Sequence, residues 1–129
     1  MRTVLYANGL KNIQEKLQKM IYEQVSGTRV YTCNSIELLS QVLRLPLNHV
    51  SVVILLVASR DELVQFNCMS TLFDNIRVIL VLPDKKKDTL SLGFKFKTSF
   101  VSYLDSNLQD VASVLGQILK KLKENKQNG

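Results

Sequence analysis

Residues 52–63 read VVILLVASRDEL. Seven apolar residues, Val52 to Ala58, give way at Ser59 to charge. A run that short and β-branched, with no polar residue alternating into it, predicts a strand buried on both faces. Ser59 and Glu62, three positions apart, form a capping box that starts a helix directly behind it. Such a strand needs helices on both sides of its sheet. The rest of the chain supplies them by alternating two periods.

Upstream, Thr3 to Ala7 is a short apolar run closed by Asn8-Gly9. Leu10, Ile13, Leu17, Met20 and Ile21 then recur at helical spacing as far as Ser26-Gly27. Arg29 to Cys33 reads as a strand. Asn34 and Glu37 have capping-box spacing ahead of the helical face Ile36, Leu39, Val42 and Leu43, which Pro46 ends. Downstream, Leu63, Phe66, Met69 (or Ser70) and Phe73 lie on one helical stripe. Arg77 to Leu82 is a strand closed by Pro83-Asp84, and Ser99 to Leu104 is another. Ser106 and Gln109 open the most amphipathic helix, with Leu108, Val111, Ala112, Leu115, Ile118, Leu119 and Leu122 on its apolar face. Residues 84–98 leave room for about one helical turn at Thr89–Leu92, so the fourth helix is expected to be short or absent. Alternating strands and helices need a parallel sheet with right-handed crossovers. The simplest solution is one α/β/α sandwich of five strands in the order 2-1-3-4-5, with its ligand edge at the carboxyl strand ends. The domain is expected over residues 1–124, with a polar tail over 125–129 and fraying from Lys120.

At 129 residues, 46% apolar and 22% charged, the chain is sized and composed for a single core. Its longest apolar run is too short to cross a bilayer, and its N-terminus turns polar too early for a secretory signal. Cys33 and Cys68 lie far apart outside any CxxC spacing, which points to buried reduced thiols and a cytoplasmic setting. The net charge of +6 is uneven. Residues 84–97 hold five Lys against two Asp, residues 117–129 hold four Lys against one Glu, and the remainder is balanced.

The carboxyl strand ends carry little chemistry. After the first strand, Tyr6-Ala7-Asn8-Gly9-Leu10 has one glycine and no lysine in register, which is not a phosphate-cradling loop. The third strand ends in Val57-Ala58-Ser59, the fourth in Leu82, and the fifth runs into Asp105-Ser106. In element order and size, over nearly its whole length, the chain resembles the receiver domains of two-component signalling, a flavodoxin-like fold. The resemblance implies an acidic pair at about Ala7 and Asn8 and a phosphoacceptor Asp at about Val57 to Ser59, a stretch that includes Ala58. It further implies a Thr or Ser near Leu82 and a Lys near Asp105 and Ser106. None of these residue types is present at its position. Aspartyl phosphorylation needs a carboxylate nucleophile and further carboxylates for Mg²⁺. Ser59 has no neighbouring base to activate it and reads as a helix N-cap. The chain therefore reads as a pseudo-receiver: non-catalytic, without a cofactor, and acting through protein–protein contacts in a signalling assembly, including homodimerisation.

Two alternatives stand beside this reading. Asp61, Asp84 and Asp105 each lie just beyond a strand end and would serve a metal- or small-molecule-dependent enzyme if they converged, although each also suits a local turn or helix start. The lysines of residues 84–97 and of the C-terminal helix would serve a basic domain contacting nucleic acid. No recognition motif accompanies them, and the main reading sets nucleic acid and membrane aside as partners. His49, the single histidine, precedes the third strand on the side away from the ligand edge. For the partner surface, the stretch GFKFK is singled out. If it extends, Phe94 and Phe96 share one side and Lys95 and Lys97 the other. The resemblance adds Tyr103, on the strand beside the face through which receivers commonly dimerise.

Overall fold

The structure, a computed structural model, describes residues 2–25, 27–45 and 49–128, with side chains as far as Lys123. Five strands alternate with five helices: β1 (Arg2–Ala7), α1 (Lys11–Gln24), β2 (Val30–Cys33), α2 (Ile36–Arg44), β3 (Val50–Leu56), α3 (Arg60–Cys68), β4 (Arg77–Leu82), α4 (Lys87–Gly93), β5 (Phe100–Tyr103) and α5 (Gln109–Asn128). A single 3₁₀ turn, Ser70–Phe73, follows α3. All neighbouring strands pair in parallel in the order β2-β1-β3-β4-β5. The expected architecture is borne out, short fourth helix included.

The strands do not alternate in polarity because the sheet buries both faces, and successive side chains feed two separate cores. Val4, Tyr6, Val53, Leu55, Val78 and Leu80 face α2, α3 and α4. Leu5, Val52, Ile54, Ile79 and Val81 face Leu17 and Ile21 of α1 and Val111 and Leu115 of α5. Each fully buried aliphatic side chain contributes roughly 1.5–3 kcal/mol. The change of face between the first and later crossovers puts the switch point between the carboxyl ends of β1 and β3.

Local chemistry departs from the sequence expectations in five places. The cap of α2 is Ser35, not Asn34: its extended backbone lets Oγ accept the Leu38 N–H at 3.1 Å. Likewise Asn107, one residue past Ser106, caps α5 by accepting the Gln109 N–H at 3.0 Å. The stripe from Leu63 to Phe73 is not one helix. It breaks at Met69 into the 3₁₀ turn, which carries Phe73 into the core. α5 carries on as helix through Lys120 to Asn128, since the Lys, Gln, Glu and Asn there include no breaker. Cys33 is buried, whereas Cys68, at the end of α3, is exposed. The expected stop at Pro46 and the Ser26 part of the stop at Ser26-Gly27 lie outside the described residues.

α4 is short but tightly seated. Gly93 is buried, and a Cβ there would stand 3.2 Å from Leu82 Cδ1. The Asn67 side chain ties α3 to α4 by donating to the carbonyls of Leu63 and Leu92, at 3.0 and 3.2 Å. No helix among the described residues is long and apolar enough to cross a membrane.

Candidate functional site

At the switch point, Tyr6 is the last residue but one in the buried run of β1. A phenol in a strand buried on both faces must find a partner for its hydroxyl. It finds Glu62: Tyr6 Oη donates to Glu62 Oε2 in a short hydrogen bond, and Glu62 Oε1 accepts the Ala58 N–H at 2.7 Å. The Glu62 N–H in turn donates to Ser59 Oγ at 3.4 Å. The capping box is thus present in altered form. Its carboxylate reaches one residue further back than the cap and bridges the end of β3 to the end of β1. Burial, then the Glu62 carboxylate, push the Tyr6 phenol well above its ordinary value, so at neutral pH it is a donor and not a base. The Tyr6 ring is held by Phe66, edge to face at 5.0 Å.

The positions that the receiver resemblance singles out all reach this carboxyl edge. Ala7 and Leu82 are buried; Asn8, Ala58 and Ser59 are exposed; Asp105 and Ser106 lie in the turn after β5. The three aspartates stay separate in role. Asp61 is exposed in the first turn of α3, where the helix dipole favours an acid. Asp84 accepts the Lys86 N–H at 2.9 Å in an Asx turn. The Thr89 hydroxyl close by, and then that N–H, hold the Asp84 carboxyl below the usual carboxylate range. Thr89 Oγ1 is itself buried without a hydrogen bond of full geometry, so it leans toward Asp84 and does not bond it squarely. Asp105 is exposed. Among the described residues no three His, Cys, Asp or Glu side chains gather closely enough to hold a metal ion. The rim that an Asp61–Asp84–Asp105 site would require does not assemble. The rest of this edge is wired locally: Arg60 pairs with Asp88 at 3.2 Å, and Lys85 Nζ sits 4.8 Å from the centre of the Tyr103 ring.

The GFKFK stretch does not extend. Gly93 closes α4, Phe94 stays helical, and the chain turns through Lys95. The turn sends the two rings to opposite fates. Phe94 is 69% exposed, while Phe96 is 7% exposed and packs edge to face on Phe73 at 5.6 Å. Phe96 is taken up by the core that also holds Phe73 from the 3₁₀ turn and Leu90 and Leu92 of α4. Phe94, Lys95 and Lys97 lie where α4 ends, at the amino edge of the sheet. Tyr103 lies at the carboxyl end of β5, about 10 Å further along that strand at 3.3 Å per residue. The five residues proposed as one patch are therefore divided between two edges.

The amino edge is concave where the carboxyl edge is bridged. One cleft of about 480 Å³ lies between Arg29, Tyr31, Lys120 and Lys123, floored by Thr3. A second, of about 800 Å³, lies between Asp74, Arg77, Lys95 and Lys97. Sequence reasoning missed this edge and the Tyr6–Glu62 bridge. Comparison with protein-family models, with curated proteins and with solved structures returned no match.

Proposed function

We propose that the chain is a receiver-like signalling and interaction module that carries out no phosphoryl chemistry and works through protein–protein contacts, including self-association. One observation carries this reading. The switch point, where a five-stranded sheet of this order offers its reactive groups, is closed by the Tyr6–Glu62–Ala58 bridge. The Glu62 carboxylate at the crest is engaged through both oxygens, by a phenol and a backbone N–H, which makes it a poorer phosphoryl acceptor. Val57 and Ala58 bring no nucleophile, and Ser59 is engaged as a cap.

Contact surface is available on the fold. Phe94 stands exposed after α4, and Tyr22, Leu38, Leu45 and Val64 are further exposed apolar residues on the helices and their ends. Self-association through the Phe94 end of α4 is the specific form of the proposal. Light scattering of the wild type should show a dimer that Phe94→Asp dissociates; a dimer that ignores the substitution removes that face. Adding Mg²⁺ with a beryllofluoride-type phosphoryl analogue should leave the melting temperature unmoved. A saturable rise would establish the enzymatic alternative instead.

A further inference from the structure

Each strand is entered through a basic residue. Arg2 opens β1, Arg29 directly precedes β2, His49 precedes β3, Arg77 opens β4, and Lys97 stands in the approach to β5. In a parallel sheet those entries fall on one edge. Two lysines of α5 join them, because α5 runs back against the strands and ends at the same edge: Lys120 and Lys123 line the first cleft with Arg29. Arg77, Lys95 and Lys97 line the second, against the single acid Asp74. None of these six cations forms an ion pair among the described residues, where Arg60–Asp88 is the ion pair found.

We propose that the amino edge binds the phosphate backbone of single-stranded nucleic acid. The two clefts flank α5 at Leu119–Lys123 and together span the sheet from β2 to β5. At about 4.8 Å per strand that is roughly 19 Å, the reach of an extended polyanion and more than a single phosphate needs. The surface is concave, and Tyr31 is the large exposed apolar side chain among the cleft residues, so it suits a chain laid into grooves better than a flat lipid face. Tyr31 is 45% exposed and lines the first cleft, with the Arg2 guanidinium 4.7 Å from its ring centre. By the register of β2 the ring projects from the sheet face opposite α5, at the rim of the first cleft, and a ring backed by a cation there is a stacking platform for an unpaired base. Lys85, Lys86 and Lys87 sit at the opposite edge and take no part.

The test is fluorescence anisotropy of the full chain with a labelled twelve-residue oligothymidylate. If six cations engage, affinity should fall about 300-fold between 50 and 200 mM salt, at roughly 0.7 counterions released per contact. Lys120→Gln with Lys123→Gln should weaken binding about tenfold and flatten the salt slope by about 1.4. The corresponding double arginine variant should restore both. Tyr31→Leu should weaken binding about tenfold with the slope unchanged, which separates stacking from charge. Changing Lys85, Lys86 and Lys87 together to Gln should leave affinity within about twofold. The proposal is overturned if that triple variant weakens binding as much as the α5 pair. It is equally overturned if duplex binds as tightly as the single strand, or if phosphatidylserine vesicles capture the protein while the oligonucleotide does not.

Discussion

The two edges of one sheet are built on opposite principles. At the carboxyl edge several polar groups are engaged with one another: Tyr6 with Glu62, Glu62 with the Ala58 N–H, Asp84 with the Lys86 N–H, Arg60 with Asp88. At the amino edge the cations stand around two clefts without such partners among the described residues. Polar residues at a strand end are therefore not by themselves a site; what matters is whether their hydrogen bonds and charges are already satisfied. The edges are joined by a row of aromatic rings, Tyr6 to Phe66 to Phe73 to Phe96, each edge to face with the next at 5.0, 6.4 and 5.6 Å. The closed edge stands at one end of that row, and the second cleft at the other.

The contrast can be broken most forcefully in the middle of the row. Phe66→Ala should cost about 3–5 kcal/mol in urea unfolding, since it opens a cavity and removes the support of both Tyr6 and Phe73. A cost below about 1 kcal/mol would mean that the closed edge does not depend on the row. Tyr6→Phe should cost about 1.5–3 kcal/mol, because it strips a buried hydrogen bond from a carboxylate and leaves the ring in place. Combined with Glu62→Ala it should fall short of additivity, the sign of a direct partnership.

The same bridge predicts a pH dependence. The folded Tyr6 phenol titrates above its unfolded value of about 10, so its contribution is complete below that pH. Above it the unfolded chain loses the proton first, and wild-type stability should fall by at most about 1.4 kcal/mol per pH unit. Tyr6→Phe should fall less steeply over that range, and identical slopes would count against the bridge. At the open edge the expectation reverses. Lys120→Gln with Lys123→Gln should change stability by no more than about 0.5 kcal/mol, as should Phe94→Asp. A large loss from either would make that edge structural and erase the contrast.

Much of the fold was legible because its signals are local. The unbroken apolar run of β3, the helical stripes of Leu17 with Ile21 and of Val111 with Leu115, and the turn at Asn8-Gly9 each report on neighbours in the chain. Gly9 indeed takes a left-handed backbone, φ 73°. Caps were harder, because Asn34-Ser35 and Ser106-Asn107 each offer two competent residues and only the backbone angles choose between them. The site was less legible still. Glu62 reads as half of a capping box, and only the packing of α3 over β1 turns it toward Tyr6. A phenol in the aliphatic strand TVLYA was a usable signal, since a buried hydroxyl needs a partner. So were the arginines at the entries to three strands, once the strands are known to be parallel.

Sequence by itself determined the alternation of elements, the double burial of the sheet and the lack of acidic residues at Ala7, Asn8 and Ala58, because each depends on residue type and short-range spacing. Tertiary structure alone decided the rest: that Phe94 and Phe96 part company, that Glu62 bridges the switch point, and that cations from α5, from the start of β4 and from the two loops before β2 and β5 meet on one edge. These follow from where separate segments come together in space, and the contacts that bring them together span tens of residues of chain.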